Sequence, residues 1–415
     1  MPDLSIRRVG AREVLDSRGD PTLAVEVELG CGARGEAMTP SGASTGRHEA
    51  VELRDGDPRR YAGRGVLQAI AHVEQVMGPA VRGMSAGDQA AVDGRLIELD
   101  GTPAKSRLGA NAILAVSCAG ARAAAAALGV PLWHHLAAGR AASMPVPMVN
   151  ILSGGLHAGR NFEFQDFLAM PHGIAGYPLQ LQAAVAVHRA ARALLDERGY
   201  VLTGVADEGG WGPQLPSNQA ALEILAAAIE RAGFRPGEDI SIAIDVAASH
   251  FHADGCYQLR SEGRVLGVEG MIALLDGWTR RYPMRSIEDG LAEDDWDGWK
   301  RLTAALGSRV QLVGDDLFTT NPARLARGIR EGVANAVLVK MNQIGTLTET
   351  FEVIDAARAA GYGAVISARS GETEDAFLAD LAVASGAGQI KIGSVTRSER
   401  LAKYNRLLKI GSELG

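Results

Sequence analysis

Apolar and polar positions alternate through Leu23-Ala24-Val25-Glu26-Val27-Glu28-Leu29. A period of two predicts a half-buried strand, and Gly30 and Gly32 just beyond it predict a hairpin turn. Pro40–Gly46 (PSGASTG) reads as a loop of small residues. Two helical stretches follow, near Gly65–Val81 and Gly109–Leu128. The first third therefore reads as a small α+β domain, residues 1–138, with Pro145 and Pro147 marking a boundary near residue 140.

Residues 139–415 change to a repeat of apolar run, loop and helix. The runs include Ile240–Val246, Arg285–Glu288, Val310–Gly314, Ala336–Lys340, Ala364–Ser367 and Gln389–Ile392. Helices are predicted at Leu222–Ala232 and from Asn321-Pro322, where Asn caps and Pro suits the first turn. Strands alternating with helices imply a parallel sheet covered on both faces. That much alternating chain predicts an α/β fold, a (β/α)8 barrel behind an N-terminal α+β domain. A doubly wound open sheet is the alternative, and no GxGxxG supports it.

Composition narrows the partners. The 415 residues are 47% hydrophobic and 22% charged, as in ordinary globular proteins. A net charge of −7 without a Lys/Arg block argues against nucleic acid as the main partner. Cys31, Cys118 and Cys256 are widely spaced, as in a reduced cytosolic protein. The segment MPDLSIRRVGARE holds no apolar leader core. Ala110–Leu128 is alanine-rich and broken by Arg122, so it predicts a buried helix rather than a membrane span. The expectation is a cytoplasmic protein.

The chemistry lies in what ends each apolar run. Successive runs end in Asp245, Glu288, Asp315 and Lys340, and Ile390 precedes Lys391. Strand C-termini converge at the mouth of a barrel. Three carboxylates there repel one another unless a cation joins them, and hard oxygen ligands suit Mg2+. Lysines beside such a cation would have depressed pKa values, which suits a neutral amine base. Solvated loop acids are the competing reading for any one position. Asp207-Glu208-Gly209-Gly210, after the strand-like Val201–Val205, offers an acid opposite the lysines. PSGASTG offers a lid over a phosphate or metal, and Ala368-Arg369-Ser370-Gly371 offers phosphate contacts. Of the histidines, His157 in a Gly-rich loop is the one retained.

Together these residues resemble the enolase family. The likeness spans nearly the whole chain: DSRG at Asp16–Gly19, PSGASTG, ELRDGD at Glu52–Asp57, GANAILAVS at Gly109–Ser117, DEGG at Asp207–Gly210, SIEDGL at Ser286–Leu291, QLVGDDLF at Gln311–Phe318, NQIGTLTET at Asn342–Thr350 and SGETED at Ser370–Asp375. The resemblance implies Asp245, Glu288 and Asp315 as ligands of one Mg2+, and Ser44 as a ligand of a second, substrate-assisted Mg2+. It implies Lys340 as general base, Glu208 as general acid and Lys391 as a carboxylate-binding lysine. Arg369 and Ser370 match phosphate contacts, and Gln165 and His157 match further substrate-site positions. The implied reaction is dehydration of 2-phosphoglycerate, a small phosphorylated carboxylate, to phosphoenolpyruvate, in a homodimer or octamer.

Four positions depart from the family's pattern. Ala368 stands where the family has His, Asp166 where it has Glu, Leu156 where a lid Glu is usual, and Ser153 where it has Asn. Asp166 beside Gln165 is retained as a catalytic candidate. Three changes around one pocket with the metal and base set intact also fit an enolase-like enzyme acting on a phosphonate analogue. A non-catalytic binding role predicts loss of the ligands or base, and none is lost.

Overall fold

A computed structural model describes residues 1–42 and 46–414. The chain opens with an antiparallel sheet of β1 (Ile6–Leu15), β2 (Pro21–Leu29) and β3 (Arg34–Met38). β2 is the alternating segment, and it pairs with β3 across the Gly30–Gly32 turn, as its pattern predicts. The helical stretch predicted at Gly65–Val81 runs from Leu67 to Val81, with a wide π-turn at Val73–Met77.

The helix Ala110–Leu128 packs on β2 and β3. Gly35 shows why the helix is alanine-rich. A Cβ at Gly35 would fall 2.2 Å from the Ala123 nitrogen and 2.4 Å from the Ala119 carbonyl oxygen. Only two backbones trimmed of side chains approach this closely. The helix is long and apolar enough to cross a membrane, yet 78% of its most apolar window is buried inside the protein. Arg122, the charge that interrupts it, grips Asp375 of the second domain through two bonds of 3.0 and 2.6 Å.

The second domain is a closed eight-stranded barrel. Its strands are β4 (Val146–Ser153), β5 (Asp166–Met170) and β6 (Ser241–Asp245), then, after a small sheet of β7 (His252–Ala253), β8 (Cys256–Leu259) and β9 (Arg264–Leu266), β10 (Met284–Glu288), β11 (Gln311–Gly314), β12 (Ala336–Val339), β13 (Gly363–Ser367) and β14 (Gly388–Gly393). Met148, Leu168, Met170, Ala243, Val313, Ala336, Leu338 and Val365 form a separate buried cluster that fills the barrel interior. The helix at Asn321-Pro322 begins as expected: Asn321 Oδ1 accepts from the N–H groups of Ala323 (2.9 Å) and Arg324 (3.2 Å).

Two features depart from a simple alternation of parallel strand and helix. β5 runs antiparallel to both β4 and β6. Its first residue, Asp166, therefore lies at the same end of the barrel as the last residues of its neighbours, in register with Ser153 and Asp245. Val201–Val205 is not a strand but a loop with a single bridge at Val205. Val201 is 82% exposed, so its apolar side chain marks no buried face. The loop still delivers Glu208 to the barrel mouth, where the Ser394 N–H donates to the Glu208 carbonyl at 2.8 Å.

Candidate active site

Asp245 and Glu288 end β6 and β10 and are register partners. Asp315 and Lys340 directly follow β11 and β12, and Lys391 lies in β14 beside Ser367. All five are buried. Lys391 Nζ stands 2.8 Å from Asp245 Oδ2 and 2.9 and 2.8 Å from the two Glu288 oxygens. Lys340 Nζ donates to Asp315 Oδ2, and Gln343 Nε2 donates to Asp315 Oδ1 at 2.9 Å. Burial alone would lower both lysines, but Asp315 raises Lys340, and Asp245 with Glu288 raises Lys391. Among the protein's own groups the carboxylates outweigh desolvation, and the depressed values expected of these lysines belong to a site that holds the cation.

The expected metal trio divides between these two ammonium groups. Among the described residues, the acidic and histidine groups whose ligand atoms all lie within 4.8 Å of one another are Asp289–Asp315–Asp316 and His157–Asp166–Glu208. Asp245, Glu288 and Asp315 are not such a group. Asp289 is a loop brace, since its carboxylate accepts the N–H groups of Asp315 (2.9 Å) and Asp316 (2.8 Å). Two observations nonetheless fit a divalent cation at Asp245 and Glu288. The position of Lys391 Nζ demonstrates that one compact cation reaches both carboxylates at once. Gln165 Nε2 donates to Asp245 Oδ2 at 3.1 Å, while Gln165 Oε1 is buried with no partner among the described residues. Charge points the same way. Burial and the Asp245 charge hold Glu288 well above the usual carboxylate range, whereas Lys391 overcomes burial to bring Asp245 to about 2. One lysine does not compensate two buried acids. Ser44, the expected ligand of a second Mg2+, lies outside the described residues.

His157 sits between two acids. Its Nδ1 lies 3.1 Å from Asp166 Oδ2, and its Nε2 lies 4.0 Å from Glu208 Oε1. The other Asp166 oxygen accepts from Asn150 Nδ2 (2.5 Å) and Ser153 Oγ (3.0 Å). Burial would lower the imidazole, but Asp166 and Glu208 outweigh it and carry its pKa to about 9. Burial would raise Glu208, and His157 outweighs it, aided by Arg400 and the two lysines, so Glu208 lies below its ordinary value. The two acids therefore favour the imidazolium form of His157. In this triad the proton sits on His157 and Glu208 is ionised. Ser153 and Asp166, two departures from the family's pattern, meet in one hydrogen bond.

The phosphate-type contacts form where the two domains meet. Arg369 donates to Glu49 through Nη1 (3.0 Å) and Nη2 (3.2 Å), and to Asn342 Oδ1 (2.9 Å). The Arg369 N–H donates to Glu372 Oε1 at 3.0 Å. Ser41 and Gly371 exchange backbone hydrogen bonds of 2.7 and 3.0 Å. A Cβ at Gly371 would lie 2.3 Å from Ser41 Oγ and 2.4 Å from Asp16 Oδ2, so the junction requires glycine. Arg400, fully buried, donates to the carbonyls of Arg369 (2.6 Å), Ser370 (2.7 Å) and Ile392 (2.9 Å). Glu49, Asn342 and Arg400 were not singled out by sequence. They reach Arg369 across 320, 27 and 31 residues of chain respectively, so no local spacing reveals them.

Family models for the enolase N-terminal domain and the enolase C-terminal TIM barrel domain match residues 6–136 and 141–415. The chain belongs to the enolase family. The family's barrel domain covers every strand that carries the buried lysines and acids, and its N-terminal domain covers Asp16, Ser41 and Glu49. Enolase-family membership makes this a lyase-type enzyme, in a family that normally uses Mg2+. Ala368, where the family has an imidazole, is a buried methyl, and its N–H donates to the Lys391 carbonyl at 2.9 Å.

Proposed function

We propose that this enolase-family protein catalyses the Mg2+-dependent, reversible dehydration of 2-phosphoglycerate to phosphoenolpyruvate. The observation that carries the reading is the pairing of Lys340 and Lys391 with Asp315, Asp245 and Glu288 at one barrel mouth, opposite the His157–Glu208 pair. A C–H beside a carboxylate is a very weak acid, and its removal makes the carboxylate group doubly charged. Asp245 and Glu288, which one cation reaches together, would hold Mg2+, with Asp315 joining them on release from Lys340, and the ion when bound would supply positive charge against that development. Lysine base with Mg2+ is the established pattern for enolase-superfamily sites.

The chain's own groups do the rest. Lys340 would act as base in its neutral form: its ammonium would be displaced by a cation held by Asp315, its extra proton would pass to solvent, and the free Nζ lone pair would then take the C2 proton. Lys391 Nζ, already placed on two carboxylates, faces the substrate carboxylate. Arg369 and Ser370 orient the phosphate. His157, whose Nε2 lies 4.0 Å from Glu208 Oε1, supplies a proton to Glu208, which delivers it to the C3 hydroxyl as the C–O bond breaks, so that the group leaves as water. Asp166 keeps His157 charged and orients its ring.

A second reading is supported by Ala368 and Asp166. A methyl at 368 leaves room and removes a donor near Arg369, which suits a phosphonate analogue in place of 2-phosphoglycerate. The test is direct. Purified protein with Mg2+ and 2-phosphoglycerate should generate the ultraviolet absorbance of phosphoenolpyruvate, and chelation or Lys340→Ala should abolish it. No product from metal-loaded protein overturns the dehydration and favours the phosphonate substrate.

A further inference from the structure

Beside the catalytic centre lies a second cavity of about 360 Å3, formed between the loop after β4 and the small sheet β7–β9. Its wall includes Leu156, Arg160, His250, His252 and Arg260. Leu156 in its wall adjoins His157, and His250 follows closely on β6, which ends in Asp245, so the cavity lies at the edge of the barrel mouth.

The cavity is short of anions. No side-chain hydrogen bond or ion pair holds the guanidinium of Arg160 or Arg260 among the described residues. His250 Nδ1 is buried and has no hydrogen-bond partner among them. Glu163, the one acid in the wall, is already occupied. It accepts from the Ser261 N–H (2.8 Å), Ser261 Oγ (2.6 Å) and Asn218 Nδ2 (3.0 Å). Leu156 puts an apolar side chain where the family's pattern has a glutamate, so no second carboxylate competes. The backbone holds Arg160 in the left-handed region at φ 61°, and its N–H donates to the Gly155 carbonyl at 2.6 Å. That loop fixes the guanidinium's root at the cavity wall instead of leaving it on a free chain.

We infer that this cavity is a subsite for a second anionic reactant bearing a phosphate or phosphonate group, bound by Arg160 and Arg260 with His250 as a further hydrogen-bonding partner. Two guanidiniums suit such a group because each presents paired donors to its oxygens. The inference goes beyond the proposed dehydration and rests on it for the substrate next door, since a subsite at the edge of the mouth brings a second reactant to 2-phosphoglycerate there.

Calorimetric titration of methylphosphonate into the full chain holding Mg2+ and saturating 2-phosphoglycerate tests it. One binding event is expected, weakened about tenfold or more in Arg160→Gln/Arg260→Gln. Both residues are exposed, so the double variant should fold, which its thermal unfolding checks. Arg280→Gln, whose guanidinium is already paired with Asp276, should bind as the parent does. Arg369→Gln, which removes the central phosphate contact, should keep the event. No heat in the parent, or equal affinity in the double variant, overturns the inference. Loss in Arg369→Gln alone would place the anion in the central site and overturn it too. Failure of the dehydration assay bears on the catalytic reading only, because the Arg369→Gln titration reads the cavity without it.

Discussion

Replacing His157 by Gln should remove a pH-dependent part of the protein's stability. The imidazole has a pKa of about 9 in the fold, against an ordinary 6.5. A raised pKa means that protonation favours the folded state. Its stabilisation is complete below 6.5 and is lost as pH rises through 9. The difference corresponds to about 3 kcal/mol for a fully buried group. Burial opposes the effect, and Asp166 and Glu208 overcome it, so the figure is a net one. Urea unfolding of parent and His157→Gln at about pH 6.5, 8 and 9.5 measures it. Asp166 and Glu208 lose their cationic neighbour in the variant, so the difference between the two proteins reads the triad as a unit. That difference should shrink by about 3 kcal/mol across the series. Parallel curves would refute the charged triad, and with it the assignment of the proton to His157 rather than Glu208.

Lys391→Met should leave Asp245 and Glu288 without their shared ammonium, costing about 3 to 5 kcal/mol in stability by thermal or urea unfolding. Mg2+ should restore more stability to this variant than to the parent, and an equal Mg2+ response would argue against a cation at these carboxylates. Ala368→His with Asp166→Glu should raise dehydration of 2-phosphoglycerate if the two departures retuned the substrate. The added methylene at 166 enters a buried, fully bonded position and should itself cost about 1 to 3 kcal/mol, so activity is read on folded protein. Unchanged activity would sever these positions from substrate choice.

Much of this architecture was legible because barrel strands are short apolar runs ended by polar residues. Asp245, Glu288, Asp315 and Lys340 each stood out on that ground, and the structure puts each at or just beyond a strand's C-terminal end. Strand direction was not legible. DFLAM at Asp166–Met170 is equally apolar read either way, so only tertiary pairing shows that β5 is reversed and brings Asp166 to the mouth. Val201–Val205 misled because apolar letters alone do not distinguish a buried run from an exposed loop. Arg122 read as a flaw in an apolar helix, and its meaning lay 253 residues away, at Asp375. Charge states were the least legible of all. The direction of the Lys340, His157 and Glu208 shifts depends on which partner wins against burial, and that balance exists only once the mouth is assembled.

The central claim is that Lys340 removes a proton from carbon beside a metal-held carboxylate. Incubating 2-phosphoglycerate with the protein and Mg2+ in deuterium oxide, and following the C2 proton by NMR, tests that step apart from loss of hydroxide. The account predicts exchange of the C2 proton by the parent and none by Lys340→Ala with Mg2+ still bound. Equal exchange by both proteins, or none by the metal-loaded parent with 2-phosphoglycerate bound, would contradict it.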